Sequence, residues 1–192
     1  MPGRIVEVTT PLIPAVAQAL AAGQQVRLSG PVYAARDAAH QRLAGLLAAG
    51  RPLPVPLAGQ VVYYVGPTPA PPGRAVGAAG PTTSSRMDPY TPALLEAGLA
   101  GMIGKGARSA AVVSAMVRCR AVYFAAMGGL GALLARHIVA AAVVAWEDLG
   151  TEALRRLELR DFPLVVAVDC QGHDLYATAR HPFRVSPPGG AG

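Results

Sequence analysis

The chain has 192 residues, 52% of them apolar and 15% charged, with a formal net charge of +6. That length supports one domain with a sizeable core, and the apolar fraction excludes a disordered chain. The arginines are scattered, with no basic run and no interleaved aromatic patch; this disfavours nucleic acid and leaves small anions as the better-matched partner, with plain solvated charge as the simpler reading.

Residues 1–12 read as an extended lead-in with an edge strand from Arg4 to Thr9. Pro14 to Ala22 has helical composition and stops at Gly23. Gln25 to Leu28 predicts a short strand entering Ser29-Gly30-Pro31. Arg36 to Ala49 predicts a helix closed by Gly50, with Leu43, Leu46 and Leu47 at helical spacing. Pro52, Pro54 and Pro56 break the chain before a strand, Gln60 to Val65. The Pro-rich stretch from Gly66 to Gly73 reads as a stiff loop joining it to a second strand, Arg74 to Ala79.

A Gly-Pro break then opens Gly80-Pro81-Thr82-Thr83-Ser84-Ser85-Arg86-Met87-Asp88, followed by a helix-like segment from Pro89 to Leu99. Hydroxyls and free N–H groups at a helix start suit an anion, and Arg86 adds a planar fork for a carboxylate or phosphate. Gly101 to Ile103 predicts a buried strand ending at Gly104-Lys105-Gly106, where the chain's one lysine stands between two glycines.

Ser109 to Arg118 predicts a helix, and Ala121 to Ala126 a strand broken at Gly128-Gly129. Ala132 to Ile138 is read as helix, Val139 to Trp146 and Leu164 to Val168 as strands, and Asp174 to Tyr176 as a return to the sheet. The expected architecture is α/β, with mixed sheets and flanking helices in more than one sheet. Residues 184–192 have flexible-linker composition, so the domain is expected to cover 1–183.

Cys119 and Cys170 lie far apart with no C-x-x-C pair, which signals neither zinc nor redox chemistry and fits free thiols in a reducing cytoplasm. No secretory leader is recognised, and the apolar run from Ala121 to Ala135 is too short and interrupted to span a membrane. The sparse surface charge suggests that part of the surface is covered by a partner.

Taken in order, several segments match one family. They are Leu28-Ser29-Gly30, Ala35-Arg36-Asp37-Ala38-Ala39-His40, Tyr64-Val65-Gly66-Pro67, Gly80 to Asp88 and Met102-Ile103-Gly104-Lys105-Gly106. Tyr123 to Gly129, Glu147-Asp148-Leu149-Gly150 with Glu152-Ala153, Asp161-Phe162-Pro163, and Asp169 with Gly172 and Asp174-Leu175-Tyr176 complete the set. The chain resembles the beta subunit of two-subunit, iron–sulfur class I fumarate hydratases and the related L-tartrate dehydratases. Glu147 to Gly150 and Asp161 to Pro163 look more like the fumarase side. Ser85 stands at a position that varies in the family, and the Pro-Pro-Gly-Gly tail is peculiar to this chain.

The resemblance implies a swivelling β/β/α domain, a dicarboxylate substrate, and a [4Fe–4S] cluster held by a separate alpha subunit rather than by this chain. It implies carboxylate binding by Arg36, Arg86 and Lys105 and proton transfer by Thr82. Pairing with Asp37 or Asp88 is the bland reading of the arginines, and a solvated side chain that of Lys105. For Thr82 it is helix capping. Thr83 and Ser84 are expected to be caps and loop donors, and Asp37, His40 and Asp88 to support the site, with a structural hydrogen bond for His40 at least as expected as proton transfer. A dicarboxylate- or phosphate-binding module without catalysis, or a purely structural interaction domain, stands as the alternative to a hydro-lyase.

Overall fold

The computed structural model describes residues 4–179; the tail expected at 184–192 and the boundary before it lie outside them. Along the chain come β1 (Val6–Thr9), α1 (Pro14–Ala19), β2 (Gln25–Ala34), α2 (Asp37–Ala48), β3 (Val61–Tyr63) and a 3-10 turn, Ser84–Met87. Then follow α3 (Thr91–Glu96), β4 (Gly101–Gly104), α4 (Ala110–Cys119), β5 (Val122–Ala125) and α5 (Gly131–Leu134). After a 3-10 turn at Ala135–His137 come β6 (Ile138–Ala145), another at Glu147–Glu152, β7 (Leu154–Val168) and α6 (Leu175–Thr178).

The expected mixed α/β class is what forms, but the strands join in one hydrogen-bonded ladder of 7 rather than several. Strands β1 to β5 are mutually parallel, and β2 is long enough to take β1 along Val26–Ser29 and β3 along Tyr33–Ala34. β7 lies antiparallel to β2 from Gln25↔Val165 to Ala34↔Arg155, and also pairs with β5 and β6. The pairings β2–β3–β4–β5–β7–β2 thus close a circuit, which leaves those strands no open edge.

Side chains alternate across this ladder with the period of two that a pleated strand imposes. Val61 and Tyr63 of β3, and Val122 and Phe124 of β5, join one core with Leu28, Phe162 and Val166, covered in part by Ala17 and Leu20 near α1. Val62, Tyr64 and Tyr123 point the other way, into a second core under α2, α3 and α4 with Leu43, Leu94, Val112 and Met116. Each such large side chain contributes about 1.5–3 kcal/mol by leaving water. Covering both faces is what parallel strands require.

Several elements differ from the sequence expectation. β2 does not stop at Leu28 but runs through Ser29, Gly30 and Pro31 to Ala34. β7 begins ten residues before the expected Leu164, because Leu154, Leu157, Leu159 and Phe162 are buried among exposed charges. Between Leu159 and Phe162, β7 has one more residue than β2 opposite it, with Asp161 at φ 50 and its N–H on Ser29 Oγ. That bulge shifts the alternation and hides the strand from a period-two reading. Arg74 to Ala79 is not a strand; it folds back on Thr68, whose N–H and C=O bond to Ala78 and Gly77, and Ala79 N–H bonds Gly131. Ala132 to Ile138 divides into short α5 and a 3-10 turn, and Asp174 makes one bridge to Val168 before α6.

Asp169, 2% exposed at the end of β7, accepts from Ala22 N–H, Gln171 N–H and His173 N–H and contacts His173 Nδ1 at 2.9 Å. Burial pushes its carboxyl up, but these donors outweigh it and hold the pKa below the usual value. β6 is an edge strand that exposes Val139, Val143 and Val144, and exposed Met127, Leu130 and Leu133 precede it in the chain. Among the described residues no helix is long and apolar enough to cross a membrane.

Candidate active site

Because β2, β3, β4 and β5 are parallel, their carboxyl ends lie along one edge of the sheet, where α/β folds present their ligand-binding loops. That edge carries Ala35-Arg36 after β2, Tyr64-Val65-Gly66 after β3, Lys105-Gly106 after β4 and Ala126-Met127-Gly128 after β5. The Gly80–Asp88 loop is tied across it. Thr82 N–H donates to Tyr64 O at 2.7 Å, Thr83 bridges to Lys105, and Ser84 N–H donates to Lys105 O at 2.9 Å. Thr82 is thereby fixed by its backbone, and among the described residues its Oγ1 carries no hydrogen bond.

Lys105 is half-buried, with Nζ 3.9 Å from where a Cβ on Gly128 would sit. Gly104 admits the loop: an added Cβ would stand within van der Waals overlap of Ser84 Oγ and 2.9 Å from Tyr64 Cδ2. Arg36 stands at the N-cap of α2, with Nη2 3.3 Å from Glu152 Oε1 and 3.7 Å from Asp37 Oδ2. Glu152 uses its other oxygen to accept Ala38 N–H at 3.0 Å. A side chain on Gly66 would meet Arg36 Cδ at 2.9 Å, so glycine is needed for Arg36 to pass.

Arg86 places Nε 3.0 Å from Asp37 Oδ1 and Nη2 2.9 Å from Asp37 Oδ2, while its Nη1 is uncommitted. Asp37 therefore lies between two guanidiniums and holds both of them on this edge. Arg86 does not pair with Asp88, the partner its sequence neighbourhood suggested. Asp88 instead binds Arg108 Nε at 2.8 Å and Ser109 N–H at 2.8 Å. The expectation of a helix N-terminus as the anion cradle also fails: a single 3-10 turn follows Thr83, and neither Thr83 nor Ser84 caps it. The charge at this site comes from side chains.

Ser84 goes to a different use. Tyr123 OH donates its one proton to Gly106 O at 2.9 Å, so Ser84 Oγ is the donor in its 2.8 Å bond to Tyr123. Gly106 N–H donates to Tyr176 OH at 3.0 Å. Beneath the loop, the Arg108 side chain is fully buried. It donates to Thr91 Oγ1 at 2.8 Å and Tyr64 OH at 3.2 Å, and lies 5.2 and 5.1 Å from the Tyr64 and Tyr123 ring centres. Sequence reasoning missed Arg108, Glu152, Tyr64 and the two tyrosine hydroxyls as site supports. Tyr123 opposite Phe124 in a strand is the one signal that could have marked a residue on the loop-facing side.

His40 is buried, edge-on to Tyr64, with Nδ1 2.9 Å from Arg36 O and no partner for Nε2 among the described residues. Burial lowers its pKa to about 4, against the raising effect of the Arg36 carbonyl. It is thus a neutral ring donating Nδ1–H and fastening the start of α2. Unfolding lets it regain a pKa near 6.5, so the unfolded chain binds the extra proton between about pH 4 and 6.5. The expected result is a loss of about 3 kcal/mol of stability as pH falls through that window. Urea denaturation of wild type and His40→Asn at several pH values checks it; an equally steep loss in the variant would remove His40 as the cause.

The chain's own donors do not suit an iron–sulfur cluster. Cys119 ends α4 and Cys170 follows β7, and the described residues hold no group of three or more His, Cys, Asp or Glu able to bind a metal.

The family model described as Fumarase C-terminus matches residues 2–179. Fumarate hydratase 1, mitochondrial, of Leishmania major is 37% identical over 154 residues, 79% of this chain and 28% of that protein. The anaerobic class I fumarate hydratase of Escherichia coli is 36% identical over 154 residues, again 79% of this chain and 28% of the relative. The "Putative L(+)-tartrate dehydratase subunit beta" of Methanocaldococcus jannaschii is 32% identical over 167 residues, 82% of this chain and 84% of its own length. The chain thus spans little more than a quarter of those two fumarate hydratases but most of the beta subunit. With the family model covering nearly all of its length and a beta subunit matched over most of both chains, the chain belongs to the fumarase C-terminus family.

Proposed function

We propose that this chain is the beta subunit of a hydro-lyase that reversibly hydrates fumarate to L-malate, sharing its active site with an alpha subunit that carries a [4Fe–4S] cluster. The observation that supports the reading is that the segments bearing Arg36, Thr82, Arg86 and Lys105 follow parallel strands or are tied across their ends, with Arg36 and Arg86 joined through Asp37 and the residues after Thr82 bonded to Lys105. A dicarboxylate brings two negative charges; among the described residues Asp37 and Glu152 pair with Arg36 and Arg86 while Lys105 has no carboxylate partner, which leaves positive charge to receive them. The cluster belongs to the alpha subunit, and none of the steps assigned to this chain runs through it.

In the dehydration direction, from malate to fumarate, a proton leaves the carbon beside one carboxylate as the hydroxyl departs from the next carbon, and negative charge builds on that carboxylate in the transition state; hydration runs the same steps in reverse. Lys105 and the free Nη1 of Arg86 stabilise that charge more than they stabilise the ground state, which is the requirement for acceleration. Arg36 holds the substrate's position. Thr82 Oγ1 moves the proton; a threonine hydroxyl is a weak base alone, so the cationic surroundings and a partner carboxylate activate it. His40 is neutral and away from the proton path. Met127, Leu130 and Leu133, close in sequence to Gly128, and the exposed residues of β6 give the partner apolar surface to cover. The reducing cytoplasm suits both free cysteines.

The beta subunit matched over most of its length is named for tartrate, which favours tartrate dehydration as the second reading. An anaerobic assay of this chain with its cluster-loaded partner, offered fumarate and L-tartrate side by side, separates the two. Malate formation that requires both chains supports the fumarase reading, and turnover of tartrate alone replaces it. Dicarboxylate binding with no turnover from the assembled complex leaves a non-catalytic module.

Arg86→Lys keeps the charge but loses the fork. The expected result is a fall of about 10- to 100-fold in kcat/KM for fumarate, the scale of a charge-assisted hydrogen bond. Steady-state kinetics of the assembled complex measure it, and full activity would show that a guanidinium seated on Asp37 with Nη1 free is not required at Arg86.

A further inference from the structure

Outside the site described above, a cavity of about 330 Å³ opens between the Pro-rich loop and the turn before β7. Pro67, Pro69, Ala75 and Val76 make apolar walls, and Gly150, Thr151 and Arg155 supply its polar side. The volume lies in the range of small-ligand pockets.

The Arg155 Nη2 donates to Gly150 O at 2.9 Å, its Nη1 carries no protein hydrogen bond, and no carboxylate pairs with it among the described residues. The next residue, Arg156, does have one, in Glu158 at 3.3 Å. A guanidinium with no carboxylate partner beside apolar walls is matched by a carboxylate oxygen brought to its free Nη1. We propose that this cavity is a second ligand site, in which Arg155 binds the carboxylate of a small aliphatic monocarboxylate whose short chain lies on Pro67, Pro69 and Val76.

The chemistry of the walls selects this class. Arg155 is the one cation lining the cavity, so a second carboxylate would be buried unpaired. A hydrated inorganic anion would lose its water against proline and valine with nothing in return. The position matters as well. Thr151 O lies 3.0 Å from where a Cβ on Gly66 would be, a point itself 2.9 Å from Arg36 Cδ, and the next residue is Glu152, which pairs with Arg36. A ligand in the cavity therefore leans on the segment that presents Glu152 to Arg36, without touching Thr82 or Lys105.

Butyrate is the probe, followed by amide NMR of the full chain. Saturable shifts are expected at Val76, Gly150 and Thr151, with binding weakened about tenfold or more, or roughly 1.4 kcal/mol, in Arg155→Met. Because Arg155 also holds Gly150 O, Ala70→Trp, which fills the exposed rim and leaves Arg155 in place, provides the second variant and is expected to block binding equally. Lys105→Ala is expected to leave these shifts unchanged, which separates this cavity from the carboxylate site on the sheet edge. Shifts that persist in both Arg155→Met and Ala70→Trp, shifts abolished by Lys105→Ala, or no saturable response at millimolar butyrate would each overturn the proposal.

Discussion

Thr82→Ala is expected to lower kcat for fumarate hydration by about 10²- to 10⁴-fold while KM changes little, the range associated with loss of a positioned proton carrier. The change deletes a hydroxyl and leaves the backbone bond from Thr82 N–H to Tyr64 O, at 2.7 Å, in place. The loop therefore stays docked, Arg86 stays on Asp37, and substrate binding by the cations is preserved. Thr82→Ser is expected to recover much of the rate, since it restores an oxygen at the same position. Both are measured on the assembled complex under anaerobic conditions. A loss in Thr82→Ala confined to KM would make Thr82 a binding residue and remove it from proton transfer.

The second large effect is structural. Arg108→Met is expected to destabilise the chain by about 3–5 kcal/mol, because it strands Asp88 without its cation in a largely buried position. The same change removes the donor to Thr91 Oγ1 and Tyr64 OH and the cation between two tyrosine rings. Asp88→Asn alone is expected to cost less, since an amide still accepts from Ser109 N–H. The double variant is expected to be less destabilised than the sum of the two, the mark of residues in direct contact. Urea denaturation monitored by circular dichroism gives all three values. A penalty below about 1 kcal/mol for Arg108→Met would show that the buried pair is not what fastens the loop.

The two predictions bear on different layers of one loop. Thr82 is the group proposed to meet substrate, while Arg108 and Asp88 lock the loop's far end to the strands below. Gly104 lets that loop approach, and Ser84 ties it to Tyr123. A site built this way holds its hydroxyl loop by backbone bonds to strand ends and its arginines by Asp37 and Glu152, which favours preorganised charge over charge gathered on binding.

Much of the architecture was legible in local pattern. Gln60 to Val65, Gly101 to Ile103 and Ala121 to Ala126 read as strands because short apolar runs bounded by glycine or proline signal buried parallel strands. Arg36 to Ala49 read as helix from the spacing of its leucines. β7 was only half legible. Its first ten residues carry Arg155, Arg156, Glu158, Arg160 and Asp161, and the bulge at Asp161 breaks the alternation that would have betrayed the buried leucines. Arg74 to Ala79 has strand composition but finds no strand partner, since its hydrogen bonds go to Thr68 and Gly131.

For the site, the sequence by itself determined which groups are available: residue type marked Arg86 in its hydroxyl-rich loop and Lys105 between two glycines, while the roles of Arg36 and Thr82 came from the family resemblance. It could not determine who pairs with whom. Arg86 chose Asp37 over Asp88, and Asp88 chose Arg108, because strand ends and loops distant in the chain meet at one sheet edge. Ser84 gave up a capping role for Tyr123, and Glu152 reached Arg36 from more than a hundred residues away. Charge and hydrogen-bond partners are settled by distance in space, and in this chain that distance is set by the closing of β7 on β2, a long-range pairing that no local pattern encodes.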